Sequence, residues 1–289
     1  MTLIDVRSPS EFAKGHIPGA CNIPLFSDAE RVAVGTTYKQ VGRQAAFALG
    51  LELVAPKVTP LFDQVSGPVD VYCWRGGMRS EAVCILLTLA GIQSTRRIGG
   101  YKAFRRWVLE TLAKPRQFRV LGGLTGSGKT EELNRRERKI DLEKLANHRG
   151  SSFGMLGQEA PQPSQEHFEN LIAVELDRLG DGPIWVEDES RLIGTCKIPD
   201  PLFAQFQAAP IEVIEASRAE RLKRLVAEYG NFPTEQLVAA TKRLQKRLGF
   251  ERMAQAIAHG EAGRIEAAAE VILDYYDRTY TEGLKRRGK

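Results

Sequence analysis

Two short stretches carry residue types and spacings that can do chemistry. In YCWRGGMRS, residues 72–80, Cys73 follows the apolar run VDVY and precedes an apolar helical stretch, EAVCILLTLAGI. A thiol between a strand and a helix meets converging backbone N–H groups and the partial positive charge of a helix N-terminus. Both favour the thiolate over the free side chain, whose pKa is roughly 8.5. Arg75 and Arg79 act in the same sense, and Gly76 and Gly77 let the loop turn its amides inward as a cradle for an anion. Cys84, inside VCILL, reads instead as a small core residue. Cys73 to Arg79 is also C-x5-R, the spacing with which a thiol phosphatase holds phosphate. No histidine precedes Cys73 and no general acid for a leaving group is evident, so phosphatase chemistry is the lesser reading and stays open.

The second stretch is GLTGSGKT, residues 123–130, a full G-x-x-x-x-G-K-T match placed after the strand-like FRVLG and before the helical EELNRRERK. In that context Gly123, Leu124, Thr125, Gly126, Ser127, Gly128, Lys129 and Thr130 bind a di- or triphosphate, with the amides of residues 124–129 surrounding it. Lys129 offsets its charge and the Thr130 hydroxyl binds Mg²⁺. The run PIWVEDES supplies Glu187, Asp188 and Glu189 at a strand end, where a carboxylate for the metal's hydration shell belongs; Glu187 and Asp188 are the expected pair. Arg218, Arg221 and Arg224 follow the strand-like IEVIEA and either approach the phosphates or form a solvated helix face. A phosphate loop defines a ligand type, not a reaction, and taken alone it favours a kinase.

The elements that must position these loops read as α/β throughout. TLIDV, VDVYC and TRRI read as short buried strands among helices in residues 1–114; Pro115, in LAKPRQF, marks the seam. Residues 115–289 open strand, glycine loop, helix, with later strands at PIWVED and IEVIEA and helices to the end. SRAERLKRLVAEYG has Ser217 and Glu220 at capping-box spacing and Gly230 as its stop. PTEQLVAATKRLQKRLG reads as one more helix, with Lys242 and Lys246, and Arg243 and Arg247, stacked at i, i+4 on its outer face.

The chain has 289 residues and a net charge of +5. Residues 1–115 hold 14 Lys and Arg against 9 Asp and Glu, and the remainder balances. With basic clusters at TKRLQKRLGFER and LKRRGK, this charge suits a phosphate-rich partner, as it would a solvated surface. Four cysteines with no CxxC pair argue against a zinc ribbon or a secreted disulfide framework. No apolar run of bilayer-spanning length and no signal-peptide pattern is expected, so the protein is read as cytoplasmic and without a membrane partner.

LIDVRSPSEFAKGHIPGACNIPLF, with Asp5, Arg7, Glu11, Phe12 and GHIPGA, resembles the rhodanese-like domain, as does YCWRGG. The resemblance implies that Cys73 takes up a chalcogen atom and that Asp5, Arg7 and His16 are scaffold. It also implies a sheet edge exposed near the abrupt start at MTLIDVR.

Together with YKQVGRQAAFALG, LGGLTGSGKT, DLEKLANHRGSSFG and WVEDESRLIG, these stretches resemble the tRNA 2-selenouridine synthase family. That family joins an N-terminal rhodanese-like domain to a C-terminal P-loop NTPase-like parallel-sheet domain with additional helices. The resemblance implies a transferase that replaces sulfur by selenium in the wobble 2-thiouridine of tRNA. Geranyl diphosphate first alkylates the sulfur, and selenophosphate then supplies selenium. Cys73 would serve the selenium step, and Phe153, Met155 and Leu156 could wall the geranyl chain. Lys242, Arg243, Lys246 and Arg247 could contact tRNA. A small-molecule kinase fused to a rhodanese-type sulfurtransferase is the second reading, and a phosphate-responsive binding module with an idle cysteine loop is the third.

Overall fold

A computed structural model describes residues 1–286, so residues 287–289 of the basic run LKRRGK lie outside the described residues. The chain divides into two compact units, Met1–Thr111 with Glu169–Val174, and Leu112–Phe168 with Glu175–Lys289.

In the first unit four parallel strands, β1 (Thr2–Asp5), β2 (Cys21–Asn22), β3 (Val69–Tyr72) and β4 (Ser94–Arg96), form a sheet in the order β2-β1-β3-β4. β1 and β3 are central and covered on both faces, which is why both read as nearly continuous apolar runs. The abruptly starting strand is therefore internal. The edges fall to β2 and β4, which are two and three residues long and offer little unpaired backbone. The helix Met78–Leu89 lays Val83 and Leu87 on Ile4, Val6, Val69 and Val71.

Two residues past β1 the chain buries an ion pair. Arg7 Nε donates to both Asp5 carboxylate oxygens at 3.0 Å and Nη2 to one at 2.6 Å; Nη2 also reaches the Gly15 carbonyl at 2.7 Å. The guanidinium lies 3.9 Å from the centre of the Tyr101 ring. His16 stacks on Phe12 at 3.7 Å, and burial holds its imidazole below the usual pKa. All three residues hold the fold around the loops.

One expectation about this unit fails. Arg43–Asp63 is a helical run long and apolar enough, by length and composition, to cross a membrane. It consists of the helices Arg43–Val54 and Val58–Asp63 joined by the 3-10 turn Ala55–Lys57, where Pro56 interrupts the α-helical ladder. Ala46 and Leu61 are buried, and Leu53 and Val54 pack on the core, so its apolar character is partly spent inside this unit.

In the second unit β5 (Phe118–Gly122), β6 (Ile184–Glu187) and, after the small hairpin β7 (Leu192–Ile193) and β8 (Cys196–Lys197), β9 (Ile211–Val213) build a parallel sheet in the order β6-β5-β9. A parallel bridge from Lys139 to Trp185 extends it beyond β6. Phe118 meets Phe206 of the helix Asp200–Ala208 edge-on at 4.7 Å. The helix Arg218–Tyr229 starts with the expected capping box, Ser217 N–H donating to Glu220 at 2.8 Å and Glu220 N–H to Ser217 Oγ at 3.3 Å.

The next helix departs from expectation: it runs Thr234–Lys242, stops, and resumes as the single turn Gln245–Leu248. The Thr241 hydroxyl bonds back to the Leu237 carbonyl at 2.8 Å, a habit of serine and threonine that slightly weakens a helix. The chain then tightens so that Leu244 and Leu248 are both buried. Lys242, Arg243, Lys246 and Arg247 stay exposed but no longer stand in helical rows.

Asp5→Ala leaves Arg7 charged and buried beside the site. Removing one partner of such a pair costs about 3–5 kcal/mol, so the urea midpoint of the variant, followed by circular dichroism, is expected to fall well below that of the parent.

Candidate functional site

Cys73 is the first residue after β3, and the loop behind it curls around its sulfur. Sγ lies 3.3 Å from Ser80 Oγ and 3.9 Å from the Gly77 carbonyl, and the backbone N–H groups of Ser80 and Arg75 serve it as well. The side chain is only 4% exposed. Burial alone would raise its pKa. The Ser80 hydroxyl, the Ser80 and Arg75 amides and the Arg79 charge outweigh it, and the net result is a thiol below its usual pKa. Cys84 moves the other way, pushed up by burial, in keeping with its packing role.

The curl depends on close backbone approach. Gly76 has φ +64°, and a Cβ there would stand 2.3 Å from the Arg97 carbonyl oxygen. Hydrogen bonds from Tyr101 N–H to the Cys73 carbonyl (2.9 Å) and from Lys102 N–H to the Trp74 carbonyl (2.8 Å) tie the loop to the next helix, Gly100–Ala113.

The two arginines part company. Arg79 pairs with Glu11 at 2.7 Å, and Glu11 also accepts from Ser8 N–H. Arg79 thus adds its field to the thiolate while its guanidinium is committed, which deprives the phosphatase reading of its phosphate-gripping arginine. Arg75 is exposed and forms no ion pair among the described residues.

The loop 123–130 joins β5 to the helix Lys129–Arg135. Gly128, its N-cap, has φ +91°, a conformation that costs any side chain. Lys129 Nζ donates to the Gly123 carbonyl at 2.8 Å, folded back along the rim of its own loop. Ser127 Oγ is buried without a partner, a polar atom that an anion or metal hydration shell would satisfy.

Beside it, the Thr130 hydroxyl interacts with the Glu187 carboxylate at the end of β6, and Glu187 Oε1 is likewise buried and unpartnered. Burial raises the Glu187 pKa, while Thr130 and Lys129 pull it down. A hydroxyl, one carboxylate and the ligand's own phosphates are the sparse donor set that Mg²⁺ accepts while keeping its waters, so these residues fit that ion. No group of three or more His, Cys, Asp or Glu suited to a metal occurs among the described residues. Asp188 is placed by its backbone N–H, which donates to the Leu121 carbonyl at 2.8 Å.

The arginines of the helix Arg218–Tyr229 divide by partner. Arg218 pairs with Asp274 at 2.7 Å, and Arg221, 3% exposed, grips both Asp277 oxygens at 2.7 and 2.6 Å while touching the Thr125 carbonyl at 3.2 Å. Arg224 leans on the Gly126 and Ser127 carbonyls at 3.4 Å. Arg221 and Arg224 therefore buttress the loop's carbonyl side.

Sequence reasoning misses three contributors. Tyr280, in the last helix Ile265–Arg286, accepts from Gly123 N–H at 2.7 Å, and Asp277 of the same helix holds Arg221. Glu143 converges with Glu189 on Gly150, and both carboxyls are raised, by burial first and then by neighbouring acids, Glu189 acting on Glu143 and Glu187 on Glu189. The acidic DLE ahead of a glycine was a usable signal for Glu143; for Tyr280 and Asp277 the pairing is too distant in sequence to read. Of the expected geranyl wall, Phe153 is committed to packing, 5.7 Å from Tyr229, while Met155 and Leu156 are half-buried.

A thiol-bearing anion loop on one parallel sheet and a phosphate loop on another define a fusion of a rhodanese-like domain with a P-loop domain. Residues 1–106 match the family model of the rhodanese-like domain, and residues 116–260 match that of the tRNA 2-selenouridine synthase AAA domain. Similar proteins named tRNA 2-selenouridine synthase occur in Pseudomonas fluorescens (37% identical, covering 99% of this chain and 89% of that one) and Marinobacter nauticus (38%, 99% and 89%). A third, from Pseudomonas putida, is 41% identical over 89% of this chain and 73% of its own. The chain belongs to the tRNA 2-selenouridine synthase family.

The Ser80 hydroxyl lowers the Cys73 pKa, so its removal must raise it. Alkylation of Cys73 by iodoacetamide, followed by peptide mass spectrometry across pH, is expected to reach half its limiting rate at a higher pH in Ser80→Ala than in the parent. Cys21, exposed and remote from the loop, serves as the unchanged internal reference.

Proposed function

We propose that this enzyme of tRNA modification acts twice on one base, alkylating the wobble 2-thiouridine of tRNA at sulfur and then exchanging the alkylated sulfur for selenium. The observation that carries the reading is the pairing, on one chain, of a phosphate loop with a loop that closes amides and a hydroxyl on a thiol and lowers its pKa. Two anionic donors, a prenyl diphosphate and selenophosphate, match the two loops.

In the first step the thiocarbonyl sulfur attacks C1 of geranyl diphosphate. The C–O bond breaks, diphosphate departs, and N3 of the base gives up its proton. The loop amides and Lys129 stabilise the negative charge gathering on the leaving group. Lys129 has only to swing from the Gly123 carbonyl to reach it. Thr130 and Glu187 would hold Mg²⁺, which supplies further charge neutralisation at the diphosphate.

In the second step selenium from selenophosphate, whose P–Se bond is cleaved by water to give phosphate, adds at C2. Geranylthiol leaves and N3 regains a proton. The order has a chemical reason, since a thiocarbonyl has no leaving group whereas its S-alkylated form does. Cys73 and its loop amides serve this step, offering N–H donors to the anionic selenium donor beside a thiol of lowered pKa.

Nucleoside mass spectrometry of 2-thiouridine tRNA incubated with geranyl diphosphate and selenophosphate tests the reading. Cys73→Ala is expected to accumulate S-geranyl-2-thiouridine and form no selenouridine. Lys129→Ala is expected to lose geranylation by roughly 10- to 100-fold, the worth of a charge-assisted hydrogen bond. ATP-dependent phosphorylation of a small metabolite with the tRNA untouched would establish the kinase reading instead.

A further inference from the structure

Around the buried Cys73 thiol, the exposed side chains of the loop are Trp74, Arg75 and Met78, and the sulfur chemistry does not account for them. Trp74 is 38% exposed, an expensive way to display an indole unless something covers it. It is also rigid. Its carbonyl is bonded by Lys102 N–H at 2.8 Å, and its ring packs on Tyr101 at 5.8 Å. Tyr101 is fully buried and carries the Asp5-anchored Arg7 guanidinium against its ring.

On the other side of the loop Met78, 46% exposed, meets the Arg43 guanidinium at 3.9 Å. Arg43 begins the helix Arg43–Val54, in which Phe47 and Leu51 follow at i+4 and i+8, both more than half exposed. An apolar row thus runs along the helix away from the loop. Arg43 and Arg75 form no ion pair among the described residues, and this end of the sequence carries the chain's whole positive excess.

We propose that this face receives the alkylated wobble base of the tRNA: the base stacks on Trp74, the apolar chain on its sulfur lies along Met78 and the Phe47–Leu51 row, and Arg43 and Arg75 meet the flanking phosphates. The inference rests on the two-step reading above. The chemistry of the occupant selects it. A flat ring suits a fixed indole and brings its edge to a recessed thiol, a branched hydrocarbon suits the thioether and the helix row, and a polyanion suits two uncommitted guanidinium groups.

The test uses the full-length protein and two synthetic anticodon stem-loop RNAs, one with 2-thiouridine and one with S-geranyl-2-thiouridine at the wobble position. Trp74→Ala is expected to weaken binding of the geranylated RNA, and the KM for its selenation with selenophosphate, by roughly tenfold or more, the worth of one base stacked on an aromatic ring. Trp74→Phe recovers most of that loss. Geranylation of the thiolated RNA at the other loop and the pH profile of Cys73 alkylation are expected to stay as in the parent. Tryptophan fluorescence is quenched by the geranylated RNA in the parent and much less in Trp74→Phe. Arg43→Ala with Arg75→Ala is expected to flatten the salt dependence of binding by about two counterions.

Selenation and RNA affinity unchanged in Trp74→Ala overturn the proposal. So does a shifted Cys73 titration in that variant, which would make Trp74 a prop of the loop, and so does self-association lost in a Phe47→Ser variant whose RNA binding is intact, which would give the row to a second copy of the chain. Trp74-dependent quenching by RNA that parent protein never selenates would sink the two-step reading and leave the stacking platform standing.

Discussion

Water solvates anions well, so a protein that handles anionic donors must replace that hydration with N–H groups fixed in advance. Both loops meet this constraint at the same place in the fold, where a parallel strand gives way to a helix and several amides turn toward one point. At residues 73–80 the amides close on a sulfur that belongs to the chain; at 123–130 they remain for a ligand. The glycines at 76 and 128 follow from that geometry, because inward-facing amides require backbone conformations or approaches that a Cβ would obstruct. The paired acids follow as well. Glu11 and Asp277 hold arginines that would otherwise compete for, or distort, the anion cradle.

What was legible in the sequence is what is local. The phosphate loop, the cysteine bend, the strands that precede them and the Ser217–Glu220 capping box are each written within a dozen residues, and the structure places each where its pattern implies. The break at 243–244 was hidden because the apolar positions keep helical spacing through it; only the bond of Thr241 to Leu237 and the burial of Leu244 show that the chain turns. The apolar run 43–63 was hidden for the opposite reason, since Glu52, Pro56 and Lys57 disguise its length. The roles of Arg221 and Tyr280 were out of reach altogether. An arginine three residues from two others has no sequence mark that it will meet an aspartate 56 positions on.

The arginines show how partner and burial sort one residue type into different tasks. Arg7 and Arg221 are internal and doubly bound, so they fix loops. Arg79 and Arg218, less deeply buried, are committed to carboxylates and shape the field nearby. Arg43 and Arg75 are held by no carboxylate among the described residues, which leaves them available to a polyanion. The formal charge of the chain records none of this; the distinction arises only when the fold assigns or withholds counter-charges.

The last helix reaches back to the phosphate loop directly through Tyr280, 157 positions from the Gly123 amide it meets, and indirectly through Asp277, which holds Arg221 against the Thr125 carbonyl. During synthesis the central strands of the rhodanese-like sheet emerge first, whereas the phosphate cradle stays unbraced until the last helix, Ile265–Arg286, has been made. A product cut short before that helix would then be lopsided: able to assemble its cysteine loop, yet lacking the brace of its phosphate loop.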